Sequence, residues 1–172
     1  MKIGDKMPQF SVVDQDGNVV TSADLQGYKT VIYFYPKDST PGCTTEACNI
    51  RDNYNRFLAQ GYKVYGVSKD STASHKKFIE KYQLPFPLLS DKSTQMLQDF
   101  GAWGEKKMCG KTCIGTIRMT FVFNENGICT VCGAKDVIPE ERPGDAGVKW
   151  IVIAIIGVVG AGSAAAVFLL DK

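Results

Sequence analysis

The segment YPKDSTPGCTTEAC, residues 35–48, gathers the residue types from which thiol chemistry is built. It follows a β-branched and aromatic run, TVIYFY at 30–35, that reads as a strand buried on both faces, and it opens a stretch with helical spacing. Cys43 therefore falls at a helix N-terminus, where unpaired backbone N–H groups and the helix dipole favour an anion and so the nucleophilic thiolate. Thr40 offers a hydroxyl to that sulfur or to an oxygen of a bound substrate, while Pro41 stiffens the loop and limits water access. Cys48 is a second thiol on the same helix. As an ordinary small side chain Cys48 suits an amphipathic helix well, whereas Cys43 lies in a Pro-Gly turn, off the apolar stripe. Positions five apart on an ideal helix have Cα atoms ~9 Å apart, beyond the ~7 Å reach of a disulfide, so joining these two sulfurs requires the helix to unwind.

The elements that must position these residues alternate along the chain. A short hairpin is expected at 10–14 and 18–20 around Asp16-Gly17, then the strand at 30–35. A helix over 43–60 is marked by Ala47, Ile50, Tyr54, Phe57 and Leu58 and stopped by Gly61. Strands follow at 62–68, 86–89 and 117–123, helices at 72–82 and 93–100, and Asn126-Gly127 turns the chain into a last strand at 128–132. Alternation of this kind predicts a mainly parallel sheet with helices on both faces, whose function collects at the carboxyl ends of the strands.

Composition removes other classes. The chain has 172 residues, 44% hydrophobic and 22% charged, enough for one ordinary globular domain. Its net charge of +2 gives no basic surface for nucleic acid. One histidine, His75, leaves little room for hydrolases or metalloenzymes that need a His pair, and its setting in SHKK reads as a solvated helix face. Six cysteines with no apolar export segment at the N-terminus point to a reducing, cytoplasmic-side setting and to reactive or metal-binding thiols.

The C-terminal part reads differently. Residues 133–149, with two Pro and three Gly, have the composition of a linker, and residues 150–170 form an uncharged run of 21 residues. As a helix that run is ~31 Å long, enough to cross a bilayer core, so the expected organisation is a catalytic domain at 1–132, a linker, and a transmembrane helix that anchors the chain to a membrane.

The string Pro36-Lys-Asp-Ser-Thr40-Pro-Gly-Cys43 resembles the active-site signature of the peroxiredoxins, and a second cysteine five residues on resembles their bacterioferritin-comigratory, or Q-type, branch. The opening GDKMPQFSVVDQDGNVV, GVSKDS at 66–71, FPLLSD at 86–91 and GTIRMTFVFNENG at 115–127 are similar to that family in the same order. The resemblance implies a thioredoxin-like α/β fold and a thiol-dependent peroxidase needing no cofactor. It implies Cys43 as the peroxidatic cysteine, Cys48 as the resolving cysteine, and a substrate site of Pro36, Thr40, Pro41, Gly42 and Arg118. The implied partners are hydrogen peroxide, alkyl hydroperoxides and a thioredoxin-type dithiol reductant, with the enzyme a monomer or weak dimer. Arg118 makes sense independently, because a permanently charged fork donor beside a thiolate stabilises it and binds the polarised oxygens of a peroxide; its bland alternative is a solvent-facing charge on an edge strand.

Two features depart from the family. The terminal amphipathic helix usual after the last strand is replaced by CTVCG and the linker, and four further cysteines occur at Cys109, Cys113, Cys129 and Cys132. They leave open two alternatives: a membrane-tethered dithiol-disulfide exchanger using Cys129 and Cys132, or a structural zinc module using all four. On a regular extended strand, residues three apart point to opposite faces, so Cys129 and Cys132 are not expected to pair.

Overall fold

The computed structural model describes residues 1–108 and 111–135, with Met1–Lys135 as one compact unit. Its strands are β1 (Ser11–Asp14), β2 (Val19–Thr21), β3 (Lys29–Phe34), β4 (Tyr62–Ser68), β5 (Leu88–Ser90), β6 (Trp103–Met108), β7 (Lys111–Thr116), β8 (Met119–Phe123) and β9 (Cys129–Lys135). Four α-helices, α1 (Pro41–Asp52), α2 (Tyr54–Ala59), α3 (Thr72–Tyr82) and α4 (Gln95–Asp99), and one 3-10 turn, Ser22–Leu25, complete the described elements. Pro41 opens α1 at a position where its missing N–H costs no hydrogen bond. The single helix expected over 43–60 is broken at Asn53, whose backbone N–H closes the end of α1 while the residue itself caps α2.

The main sheet runs in the order β2-β1-β5-β4-β3-β8-β9. Only β3 with β4 and β4 with β5 are parallel; the other pairings are antiparallel, which corrects the expectation of a mainly parallel sheet. Parallel neighbours need a crossover, and only α1 with α2 and then α3 supply one here, whereas the hairpins at each end add strands antiparallel. The result is still the expected thioredoxin-like α/β arrangement.

β3 is buried on both faces, as its continuous apolar run requires. Ile32 and Phe34 join Phe10, Leu97, Phe100, Phe121 and Phe123 in an aromatic-rich core on one face. On the other face Tyr33 stacks on Tyr35, and Tyr35 packs against Phe78 of α3. Gly66 of β4 lets this face close up, because a Cβ there would lie 2.6 Å from both Leu88 and the Tyr33 hydroxyl.

Two further expectations change at the end of the sheet. β6 and β7 pair as a separate antiparallel hairpin that the charged, glycine-interrupted sequence did not announce. In β9 the register with β8 shifts twice: Phe123 faces Cys129, Val122 faces Val131, and Thr120 faces Ala134. The first irregularity inserts an extra residue between Cys129 and Val131, which resets the alternation. Cys129 and Cys132 therefore both lie on the aromatic core face, and the reading that put them on opposite faces is corrected.

The expectation of a transmembrane helix added to this fold is also corrected. Among the described residues no helix is long and apolar enough to cross a membrane. Residues 150–170, most of the linker segment, and Cys109 lie outside the described residues. The architecture of the described residues is the thioredoxin-like unit.

Candidate active site

Cys43 sits in the first turn of α1 beyond the carboxyl end of β3, with only 2% of its surface exposed. Helix geometry points the N–H groups of this turn toward the loop that precedes it. Arg118, in the link between β7 and β8 rather than inside a strand, reaches across so that its Nη2 donates to the Cys43 sulfur at 3.1 Å. Its Nη1 donates to Glu46, also on α1. The guanidinium side chain is 10% exposed, so the solvent-facing reading of Arg118 is set aside.

Glu46 was not singled out from sequence. It is 4% exposed and lies three residues after Cys43, on the same helical face. Burial pushes its carboxyl up to about 7, although the charge of Arg118 and its hydrogen bond pull the other way. Burial works against the charge on Arg118 as well, but Glu46 and Cys43 outweigh it and raise the guanidinium's pKa. The three side chains form one buried electrostatic unit: a fixed cation shared between a carboxyl and a sulfur.

Thr40 is the N-cap residue of α1, and its carbonyl accepts the Thr44 N–H at 2.8 Å. Its hydroxyl donates to the Lys37 carbonyl at 3.0 Å and not to the Cys43 sulfur, which leaves the oxygen lone pairs to accept. Pro36, Pro41 and Gly42 flank the loop, with Pro36 and Gly42 partly buried and Pro41 exposed. Cys48 lies in the same unbroken helix, partly buried, and both it and Cys43 are free thiols.

His75 contradicts its sequence reading. It is fully buried, with Nδ1 2.9 Å from Asp38 Oδ2 and Nε2 3.2 Å from the Leu89 carbonyl. The signal was present in its spacing to Phe78, Ile79 and Tyr82, the apolar side of an amphipathic helix.

The remaining cysteines occupy other surroundings. Cys129 is 1% exposed, its thiol donating to the Val131 carbonyl at 3.2 Å, and burial together with Cys132 pushes it up to about 12. Cys113 lies on β7 and donates weakly to the Lys106 carbonyl at 3.6 Å. Among the described residues, which leave out Cys109, no three His, Cys, Asp or Glu side chains are grouped to hold a metal ion.

Residues 3–131 match the AhpC/TSA family. The chain is 45% identical over 127 residues to peroxiredoxin Bcp of Escherichia coli, a match covering 74% of this chain and 81% of that one. A solved structure of the Xanthomonas campestris bacterioferritin comigratory protein superposes with a TM-score of 0.76 at 33% identity, covering 89% of this chain and 91% of the other. A structure of peroxiredoxin Q from the same organism gives a TM-score of 0.75 at 31% identity over 94% and 99% of the two chains. A free thiol held by an arginine at a helix N-terminus, on this fold and with these relatives, places the chain in the AhpC/TSA family as a peroxiredoxin of the bacterioferritin-comigratory type, a thiol peroxidase.

Proposed function

We propose that the enzyme reduces hydrogen peroxide and alkyl hydroperoxides with Cys43 as the attacking thiolate. The observation that carries this assignment is the 3.1 Å approach of Arg118 Nη2 to the Cys43 sulfur at the start of α1. The thiolate attacks one peroxide oxygen and the O–O bond breaks; the departing oxygen takes a proton and leaves as water or an alcohol, and Cys43 becomes a sulfenic acid. Arg118 supports both ends of this step, stabilising the thiolate beforehand and the oxygen charge that develops as the bond breaks. Thr40, with lone pairs free, accepts a hydrogen bond from the peroxide proton, and Pro36, Pro41 and Gly42 shape the loop around it.

Cys48 then attacks the sulfenic sulfur, releasing water and forming a disulfide with Cys43. Both residues belong to α1 (Pro41–Asp52), so the helix opens around them in each cycle. A thioredoxin-type dithiol returns both sulfurs to thiols by exchange. The solved Xanthomonas campestris relative, described for alkyl peroxide reduction, supports alkyl hydroperoxides as substrates. The raised Cys129 thiol counts against the dithiol-exchanger alternative, since exchange needs an accessible thiolate.

The test is peroxide-dependent oxidation of reduced thioredoxin by the purified chain and by Cys43→Ser and Cys48→Ser. Steady turnover in the unsubstituted chain, none in Cys43→Ser, and a single turnover in Cys48→Ser support the scheme. Steady turnover by Cys43→Ser contradicts it.

A further inference from the structure

The loop that delivers Thr40 and Pro41 to Cys43 is held from behind by a buried network that the peroxidase scheme does not use. Three donors converge on the Asp38 carboxylate: the Tyr35 hydroxyl at 2.7 Å, the Ser74 hydroxyl at 2.6 Å and His75 Nδ1 at 2.9 Å. The Asp38 backbone N–H donates to Asp70 Oδ2 at 2.8 Å, and that oxygen also accepts the Ser68 hydroxyl at 3.0 Å. One residue of the loop is thereby tied to the residue that follows β3, to α3 and to the link between β4 and α3.

The two ring nitrogens of His75 both face acceptors. Nδ1 meets the carboxylate, with the Tyr35 oxygen 3.4 Å away, and Nε2 meets the Leu89 carbonyl at 3.2 Å. A neutral imidazole has one N–H, so it would set a lone pair against one of these oxygens, whereas an imidazolium satisfies both. The titratable groups packed around the ring are Asp38 on the loop and Tyr35 directly after β3, with Tyr33 stacked behind Tyr35 and Asp70 on the far side of Asp38. Asp38 fits this arrangement: burial opposes its charge, yet the hydrogen bond and charge of His75 outweigh burial and bring the carboxyl below its ordinary value.

What the anchor holds is strained. Ser39 follows Asp38 directly and has φ +57°, the left-handed region, which is unfavourable for a residue with a Cβ and persists only where neighbours enforce it. Thr40 comes next, extended at φ −82° and ψ 149°, and α1 begins one residue later. The turn at Ser39 thus sets where the Thr40 hydroxyl and the first turn of α1 lie relative to the Cys43 sulfur.

Building on the assignment of Cys43 as the peroxide-reactive thiol, we infer that His75 is a buried imidazolium which, through Asp38, acts as a positioning residue for the peroxide site. It touches neither the sulfur nor the substrate. It fixes the carboxylate whose residue holds the Ser39 turn, and with it the placement of Thr40.

The full chain, labelled with 15N, is examined by NMR at pH 7.5, and the rate of Cys43 oxidation by hydrogen peroxide is measured in the Cys48→Ser background. Both ring nitrogens of His75 are expected to show the protonated signature; a neutral tautomer overturns the inference. His75→Asn keeps a donor toward Asp38 but loses the charge, and it is expected to slow Cys43 oxidation by about tenfold. The double variant Asp38→Ala/His75→Phe removes both charges together, so its unfolding midpoint should recover toward the parent relative to Asp38→Ala alone. Its oxidation rate should stay about tenfold down, since the anchor is gone. A rate that recovers together with stability, or a His75→Asn rate within about twofold of the parent, shows a purely structural role and overturns the inference. Failure of the Cys43 assignment itself would appear separately, as a Cys48→Ser chain whose Cys43 is not oxidised by peroxide, and the ring-nitrogen signature would still decide the state of His75.

Discussion

Cys43 and Cys129 are equally buried, at 2% and 1% exposure, yet their sulfurs meet opposite surroundings. Cys43 meets the Arg118 guanidinium at a helix N-terminus, while Cys129 sits in the aromatic core, gives its proton to a carbonyl, and has its thiol pushed up to about 12. Burial alone makes a cysteine inert, because it disfavours the charged thiolate. A fixed cation opposes that effect of burial, since the same low-dielectric surroundings strengthen its attraction for an anion. Arginine suits this role because it remains charged in the interior and its fork serves Glu46 and Cys43 at once.

The comparison breaks most visibly by removing the sulfurs one at a time. Cys43→Ser should reduce peroxide turnover to background, whereas Cys129→Ala should leave turnover within about twofold and cost on the order of 1 kcal/mol of stability through the lost core packing. Turnover with thioredoxin and a urea titration of each variant check both halves.

Moving the cation is the next largest change. Arg118→Ala should slow Cys43 oxidation by about a hundredfold or more, as loss of a preorganised charge-stabilising donor generally does. Arg118→Lys should recover only part of that loss, because an ammonium cannot hold Glu46 and the sulfur with one planar fork. Stopped-flow measurement of the first turnover in the Cys48→Ser background reads both effects.

A smaller effect lies in the pH dependence of stability. The folded state raises Glu46 from 4.5 to about 7, so between those values the native chain holds a proton that the unfolded chain has released. Stability from this group is therefore full below about 4.5 and is lost as pH rises toward 7, by at most about 3 kcal/mol. Glu46→Gln should flatten this part of the profile, which urea midpoints from pH 4.5 to 7.5 will show. Smallest of all is the expected effect of replacing Cys109, Cys113, Cys129 and Cys132 together with Ser or Ala. Thioredoxin-coupled turnover should stay within about threefold, and a fall of more than about tenfold in a folded protein would show that the reactive chemistry extends beyond Cys43 and Cys48.

Much of the site was legible because it is local. The strand, the Pro-Gly turn and Cys43 at the start of a helix follow one another within residues 30–43, and α3 was expected with the bounds Thr72–Tyr82 that it has. Glu46 and Asp38 were missed for one reason: each is a polar group whose partner lies 72 or 37 residues away, so local pattern reads it as solvated, whereas the burial of His75 was signalled by its spacing to Phe78, Ile79 and Tyr82. The mainly parallel sheet was a misreading of the ends, where hairpins add antiparallel strands without the long crossovers that mark parallel ones. The bulged register of β9 had no sequence signal beyond Gly133, at φ +58°, yet it decides which face Cys132 shares.

The central claim is that Cys43, alone among these thiols, is activated toward peroxide. It is tested most directly by treating the Cys48→Ser chain with a stoichiometric amount of hydrogen peroxide, trapping sulfenic acid with dimedone, and locating the adduct by mass spectrometry. The account predicts the adduct on Cys43, with Cys113, Cys129 and Cys132 unmodified, and its loss when Arg118 is also replaced by Ala. An adduct spread evenly over the cysteines, or absent from Cys43 while present on Cys129 or Cys132, would contradict it.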